Sequence, residues 1–424
     1  MLRWVARSCL LCAALVALAG CRTGPRDERS GVVSCDESRD QVCWPRFPPA
    51  ADSRQLPRLA VFLSAGEINQ NTTLARLGYP DRLLFRLHQD LPRLRVVLLG
   101  SPANRYSGER DVTQSPEGAA TWKALATEPR FSWLEIGGQG YTHSPPGDTN
   151  LNHHEFDAGA TGCNLDHARM ATPEYCRERL GLARAAYDHL GLPRNTVVMI
   201  RFPGLSDSPA ALAAATDAGF LAMLGNKHSE DAGRPQWLAH PSGEILDLEN
   251  TKITELAASA RSAGGEPDPG AVMKRVQKAI DQGGVLNLRA DLQDLFDEVG
   301  AGTPAYGLLT RLLQRVEEKH GPAVWYPRGR DLALWLDLAR HARVAVSARA
   351  DAIELSIEPP ESWSAAGHGF DEAAIAVRVP ADWEDVTEVS VGQAPVTRWF
   401  WAGPRLVVVP FGVRGPVRVR VAGS

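Results

Sequence analysis

The sequence is poor in the features that assign a protein quickly. It has neither a basic stripe nor an acidic tail, and its formal net charge is only -4 over 424 residues. Nucleic acid is therefore not an expected partner. No Gly-x-Gly-x-x-Gly follows the first expected strand, which leaves a dinucleotide-binding fold with little support. No internal repeat and no low-complexity tract is visible, which sets aside a repeat architecture. The apolar run near the start, Leu10 to Leu18, is too short to cross a bilayer as a helix. Cysteine is scarce, seven in all. What remains is 44% hydrophobic residues, enough to bury a large core. The length suits one large domain and a smaller one.

The first segment reads as an export signal. Arg3 and Arg7 give a positive start, and the short apolar run follows. It ends in Leu18-Ala19-Gly20-Cys21, which resembles the bacterial lipobox, so Cys21 is the expected lipidation site. Acyl chains would then anchor the protein to the membrane. By resemblance to lipoprotein sorting patterns, Arg22 in place of Asp favours the outer membrane. Four cysteines follow Cys21, an even set for an oxidising compartment. Of three possible pairings, Cys35–Cys43 and Cys163–Cys176 are the simplest, since each closes a short loop. Neither pair has zinc-ribbon spacing.

Residues 1–20 are thus a signal, and 21–56, rich in Arg, Asp, Ser and Pro, read as a tether with a small cysteine-clipped loop. From Pro57 apolar runs alternate with helix-like stretches. The runs are Leu59–Ser64, Leu94–Gly100, Trp133–Gly137, Thr196–Phe202, Phe220–Leu224, Val285–Leu288 and Ala323–Tyr326. Between them lie amphipathic segments such as Pro173–Leu190 and Pro304–Lys319. This alternation predicts an α/β fold with a parallel sheet over 57–342, and the number of units fits a closed or nearly closed β/α barrel. Over 343–424 short alternating runs such as Ile353–Ser356 and Val417–Val421, broken by Gly, Pro and Asp, predict a small antiparallel β-sandwich.

Chemistry concentrates at the expected strand ends. Trp133 to Gly137 runs into a glycine-rich loop carrying His143, and loops after strands build the active sites of β/α barrels. His153, His154 and Glu155 follow shortly afterwards. Imidazoles with a third donor and water can hold a catalytic zinc. The strand Thr196–Ile200 ends in Arg201-Phe202-Pro203-Gly204, where an arginine can orient a carboxylate by a two-pronged hydrogen bond. Surface histidines that never meet, and a structural ion pair at the rim, are the plainer alternatives.

These stretches resemble the NodB-type polysaccharide deacetylases, which share a distorted β/α barrel. His143-Ser144 matches the first half of that family's strand-end metal motif, and His153 or His154 would supply its second histidine. Arg201-Phe202-Pro203 matches its Arg-x-Pro motif, whose arginine holds the catalytic base. The resemblance covers about Pro57 to Arg343 and implies a divalent metal, zinc first. It also implies a cell-envelope polysaccharide or peptidoglycan as substrate and removal of N-acetyl groups by metal-activated water.

The departures are as informative. The family's Asp-Asp pair reads Ser64-Ala65 here, so Glu67, or Glu155, would have to serve as base. The late histidine that acts as general acid reads Arg289, which cannot release a proton but can bind an oxyanion. Asp291, or Asp294, is a replacement acid or base. Two functions follow: a metal-dependent deacylating hydrolase, or a catalytically inactive relative that binds glycan or serves as a scaffold. Lipid anchoring makes a direct prediction. In membrane fractions of the expressing cells, Cys21→Ser should leave the chain unacylated and release it from the membrane.

Overall fold

The computed structural model of the protein describes residues 41–49, 54–77, 84–103, 110–145, 154–157, 167–205, 207–225, 234–252, 269–291, 295 and 303–424. Cys21, Cys35, His153, Cys163 and Asp294 lie outside them. The chain is mixed α/β. Its first part alternates β2 (Leu59–Ile68), α1 (Leu84–Asp90), β3 (Val96–Gly100), α2 (Pro116–Thr127), β4 (Leu134–Gly138), α3 (Pro173–His189), β5 (Met199–Ile200), α4 (Pro209–Asp217) and β6 (Ala222–Leu224). A hairpin of β7 (Gln236–His240) and β8 (Gly243–Leu248) follows, then β9 (Asn250–Lys252), α5 (Pro269–Gln282), β10 (Val285–Ala290), α6 (Pro304–His320), β11 (Val324–Trp325) and α7 (Gly329–His341).

Local sequence explains the helix starts. Ser115, Thr172, Ser208 and Thr303 each precede a proline and accept a backbone N–H from the first turn, from Gly118, Tyr175, Ala211 and Tyr306. A hydroxyl cap followed by proline at the first helical position satisfies one orphan donor and removes another.

The strands form one sheet in the order β7-β8-β6-β5-β4-β3-β2-β10-β9, with β11 also on β2. All neighbours in it are parallel except β7 and β8. Such a sheet needs apolar cover on both faces. Leu59, Val61 and Leu63 join one cluster with helix residues such as Leu180 and Leu309. Ala60 and Phe62 join a second with Val97, Leu99, Leu224, Leu246, Leu248, Val285 and α7. The period of two thus separates an outer face under helices from an inner face.

The second part of the chain forms two antiparallel sheets. Their strands are β12 (Arg343–Ala348), β13 (Ala352–Glu358), β14 (Phe370–Arg378), β15 (Val386–Val391), β16 (Ala394–Pro395), β17 (Phe400–Gly403), β18 (Leu406–Val413) and β19 (Val417–Gly423). One sheet runs β12-β13-β19-β15-β16. The other runs β1-β14-β18-β17, where β1 is Val42–Cys43. Ile353, Leu355 and Val421 of the first share a cluster with Ile375, Val377 and Val409 of the second.

Two expectations are corrected. The 21–56 segment was expected as a tether, but residues 42–47 of it are built into the fold. Val42 and Cys43 pair with β14, Trp44 and Phe47 are buried, and the Trp335 indole donates to the Arg46 carbonyl at 3.0 Å. Two large aromatics bury too much apolar surface to stay in solvent. The Cys163–Cys176 pairing is not formed: Cys176 carries a free thiol. It faces the core from the first turn of α3, donates to the Met170 carbonyl at 3.4 Å, and burial pushes its pKa up to about 11. Cys43 is disulfide-bonded, to a partner outside the described residues.

One buried acid ties α7 to the sheet. Both Glu135 oxygens lie 3.1 Å from the Arg330 N–H at the start of α7. Burial raises its pKa to about 7, outweighing the Arg330 charge. The native state therefore holds a proton that the unfolded chain releases near 4.5, the ordinary carboxyl value. This contribution to stability is complete below that pH and is lost as pH rises through 7, at up to about 1.4 kcal/mol per unit. Urea unfolding of Glu135→Gln beside the parent should show the variant gaining relative stability between about pH 5 and pH 8. A difference independent of pH would contradict the assignment.

Candidate functional site

The expected site residues fall at the C-terminal ends of the parallel strands. β4 ends at Gly138 and continues through a loop fixed by its neighbours. Gln139 N–H donates to Gly100 O at 2.9 Å, the Ser101 hydroxyl to Gln139 O at 2.7 Å, and Ala103 N–H to Tyr141 O at 2.9 Å. Gly140 has φ of 70°, and a side chain there would collide with Glu155. His143 has φ of 65° without being glycine, a conformation that needs outside support.

Glu155 supplies that support. It is fully buried and accepts from Tyr141 N–H at 2.7 Å, Thr142 N–H at 3.3 Å and Arg179 Nε at 2.7 Å. Arg179 Nη2 also donates to Thr142 Oγ1 at 2.8 Å, and its guanidinium lies 4.9 Å from the Tyr141 ring centre. The Glu155 backbone N–H closes onto His143 O at 3.1 Å. Glu155, expected as a possible proton acceptor, is thus a positioning residue, since its oxygens are occupied by the loop they hold. Arg179 was not foreseen. Its signal was a charged residue in the buried stripe Tyr175, Cys176, Arg179, Leu180, Ala183 of α3.

The same segment brings His154 to His143. The rings are nearly perpendicular, with centroids 5.4 Å apart. His154 sits where Gly204, with φ of 65°, leaves room, since any side chain there would strike the imidazole. Phe156 packs edge-on against Phe202 at 5.4 Å. The His-Ser and Arg-Phe-Pro-Gly stretches, distant in sequence, therefore adjoin in space.

Arg201, only 2% exposed, follows β5, and its Nη2 lies 4.0 Å from Asp291 Oδ1, just beyond β10. Asp291 lies over Gly66, whose Cβ would be 3.1 Å from that oxygen. β5 and β10 are four places apart in the sheet. On a flat sheet that is about 19 Å, far beyond the reach of the two side chains, so the sheet is strongly curled.

The remaining expected positions differ. Ser64 is buried and donates to Asn287 Oδ1 at 3.0 Å, so its hydroxyl is committed between β2 and β10. Ala65 packs in the outer layer, away from the inner face. Glu67 is on β2, with its side chain outside the described set. Arg289 is on β10 in register with Ser64 and Lys252. Trp325 and Tyr326 lie at the opposite end, where β11 pairs with the start of β2.

Among the described residues no group of three His, Cys, Asp or Glu side chains is arranged to hold a metal ion. His143 and His154 meet, but Ala65 offers no donor and Glu155 is spent on its loop. This set therefore falls short of the three protein ligands of a catalytic zinc.

No family model and no curated protein matches the chain. Solved structures similar to part of it include a 4-alpha-glucanotransferase from Thermococcus litoralis, with 11% identity, a TM-score of 0.40 and coverage of 65% of this chain and 40% of that one. The match thus spans less than half of the glucanotransferase. A family 4 carbohydrate esterase from Streptomyces lividans, in complex with acetate, has 12% identity, a TM-score of 0.32 and coverage of 63% and 90%. A CE4 family pseudoenzyme from Bacillus anthracis has 11% identity, a TM-score of 0.31 and coverage of 62% and 62%. Likeness at this level carries no inference about chemistry, and function is read from the chain's own residues.

The buried pair makes a prediction. Arg179→Met leaves Glu155 as an unpaired buried charge and should cost about 3–5 kcal/mol. The double variant with Glu155→Gln should recover part of that loss. Denaturant unfolding of both checks this, and an Arg179→Met chain of unchanged stability would contradict it.

Proposed function

We propose that this chain is a deacetylase-like lipoprotein that binds a cell-envelope polysaccharide or peptidoglycan at its strand-end face without cleaving it. In this reading the parallel sheet is a distorted barrel. β8 and β9, separated by Glu249 alone, act as one strand, with β8 beside β6 and β9 beside β10. The two antiparallel sheets form a C-terminal β-sandwich. Acylated Cys21 holds the whole at the outer membrane.

The observation that carries the reading is what became of the acid positions. Ser64 is bonded to Asn287, Ala65 is turned into the outer layer, and the carboxylate met by Arg201 is Asp291. Among the described residues the positions of the acid pair supply no carboxylate, while the Tyr141–His143 turn is held by Glu155 and Arg179. A fixed polar surface at strand ends suits recognition of hydroxyl-rich ligands, and fixed loops lose little entropy on binding.

A second reading is a zinc-dependent hydrolase that removes N-acetyl groups. One observation favours it: His143 and His154 are brought within 5.4 Å, ring to ring. It requires a further ligand from outside the described residues, and His153 is the expected one.

Elemental mass spectrometry and pull-down on insoluble peptidoglycan separate the readings, using protein that begins after Cys21 and carries no affinity histidines. The binding reading predicts retention on the glycan and well under one zinc per chain after incubation with zinc. One zinc per chain, lost in His143→Ala, would establish the second reading instead. Neither zinc nor retention would leave only a scaffold.

A further inference from the structure

We infer that Arg289 makes the strand-end face a receptor for a carboxylate, so that the ligand is an acidic saccharide rather than a neutral one. This deepens the glycan-binding reading and rests on it. Along β10, Leu286, Leu288 and Ala290 belong to the outer cluster. Asn287 points the other way, to Ser64 Oγ at 3.0 Å and Leu248 O at 3.0 Å. Alternation places Arg289 on the same inner face as Asn287, one step closer to the strand end.

Arg289 is half-buried, and its Nε is shielded from solvent without a hydrogen-bond partner among the described residues. No carboxylate among them pairs with it. Two other sequestered arginines, by contrast, meet carboxylates. Arg179 is bonded to Glu155, and Arg340 grips Glu244 with two bonds of 2.7 and 2.9 Å. The nearest acid in sequence, Asp291, is directed to Arg201. A shielded donor left unpaired is costly, and such a group calls for a functional explanation. A guanidinium is planar, always charged and forked to match a carboxylate, so an anionic ligand supplies what the chain does not. A hydroxyl would satisfy one donor and leave the charge uncompensated.

Calorimetric titration of the intact chain tests this on the ligand side, with the protein unchanged. The probes are D-glucuronate, its uncharged methyl ester and D-glucose. Glucuronate should bind roughly ten- to a hundredfold more tightly than either neutral sugar. Arg289→Gln should remove that preference, and Arg289→Lys should keep part of it. Equal affinity for all three, or a preference that survives Arg289→Gln, would overturn the inference while leaving the glycan reading standing. Should no sugar bind and the chain also fail to be retained on peptidoglycan, the glycan reading and the inference fall together.

Discussion

One buried amide joins the strands on which the functional face depends. Asn287 accepts from Ser64 on β2 and donates to the carbonyl of Leu248 at the end of β8. That carbonyl also receives the Gly225 N–H, just beyond β6, at 3.2 Å. A polar side chain buried among apolar strands must satisfy its donors and acceptors, and this one does so only in a single register. A slip of one residue would turn Arg289 outward and Leu288 inward, exchanging the two faces of the sheet. The same bond removes Ser64 from any role at the mouth of the site, so architecture and the loss of an acid position are one fact.

Above that knot the site is assembled by a second buried interaction. Glu155 and Arg179 are both almost inaccessible to solvent and bond to each other and to Tyr141 and Thr142. The pair contributes shape rather than reactivity: it holds His143 in a left-handed backbone and presents His154 against Gly204. Charge is here spent on positioning, and Ser64 and Ala65 bring no carboxylate to the site. The Arg201–Asp291 pair spans the face, and no carboxylate among the described residues pairs with Arg289.

Much of this was legible in sequence. The apolar runs at Leu59, Val96, Leu134 and Val285 mark strands, because a sheet buried on both faces leaves an unbroken hydrophobic signature. The hydroxyl-proline pairs before α2, α3, α4 and α6 mark helix starts. Nothing local in the sequence brings His154 against His143 and Gly204, so that meeting is visible only in the structure. The hairpin of β7 and β8 escaped notice because β7 is only partly buried and lacks a clean alternation. Glu155 and Arg179 escaped because a salt bridge across 24 residues leaves no periodic trace. Trp44 and Phe47 sat in a stretch whose composition reads as linker, and two aromatics outweighed that composition once a sheet edge was available.

The most direct test of the central claim is a crystal structure of the chain grown with zinc and a short acidic glycan fragment, with anomalous scattering recorded at the zinc edge. A face built for recognition predicts sugar density against Arg201, Asp291 and Arg289 and no zinc peak within bonding distance of His143 and His154. A zinc ion held by both imidazoles and a third protein ligand, with the acyl group of a sugar turned toward it, would contradict that claim and restore the hydrolase.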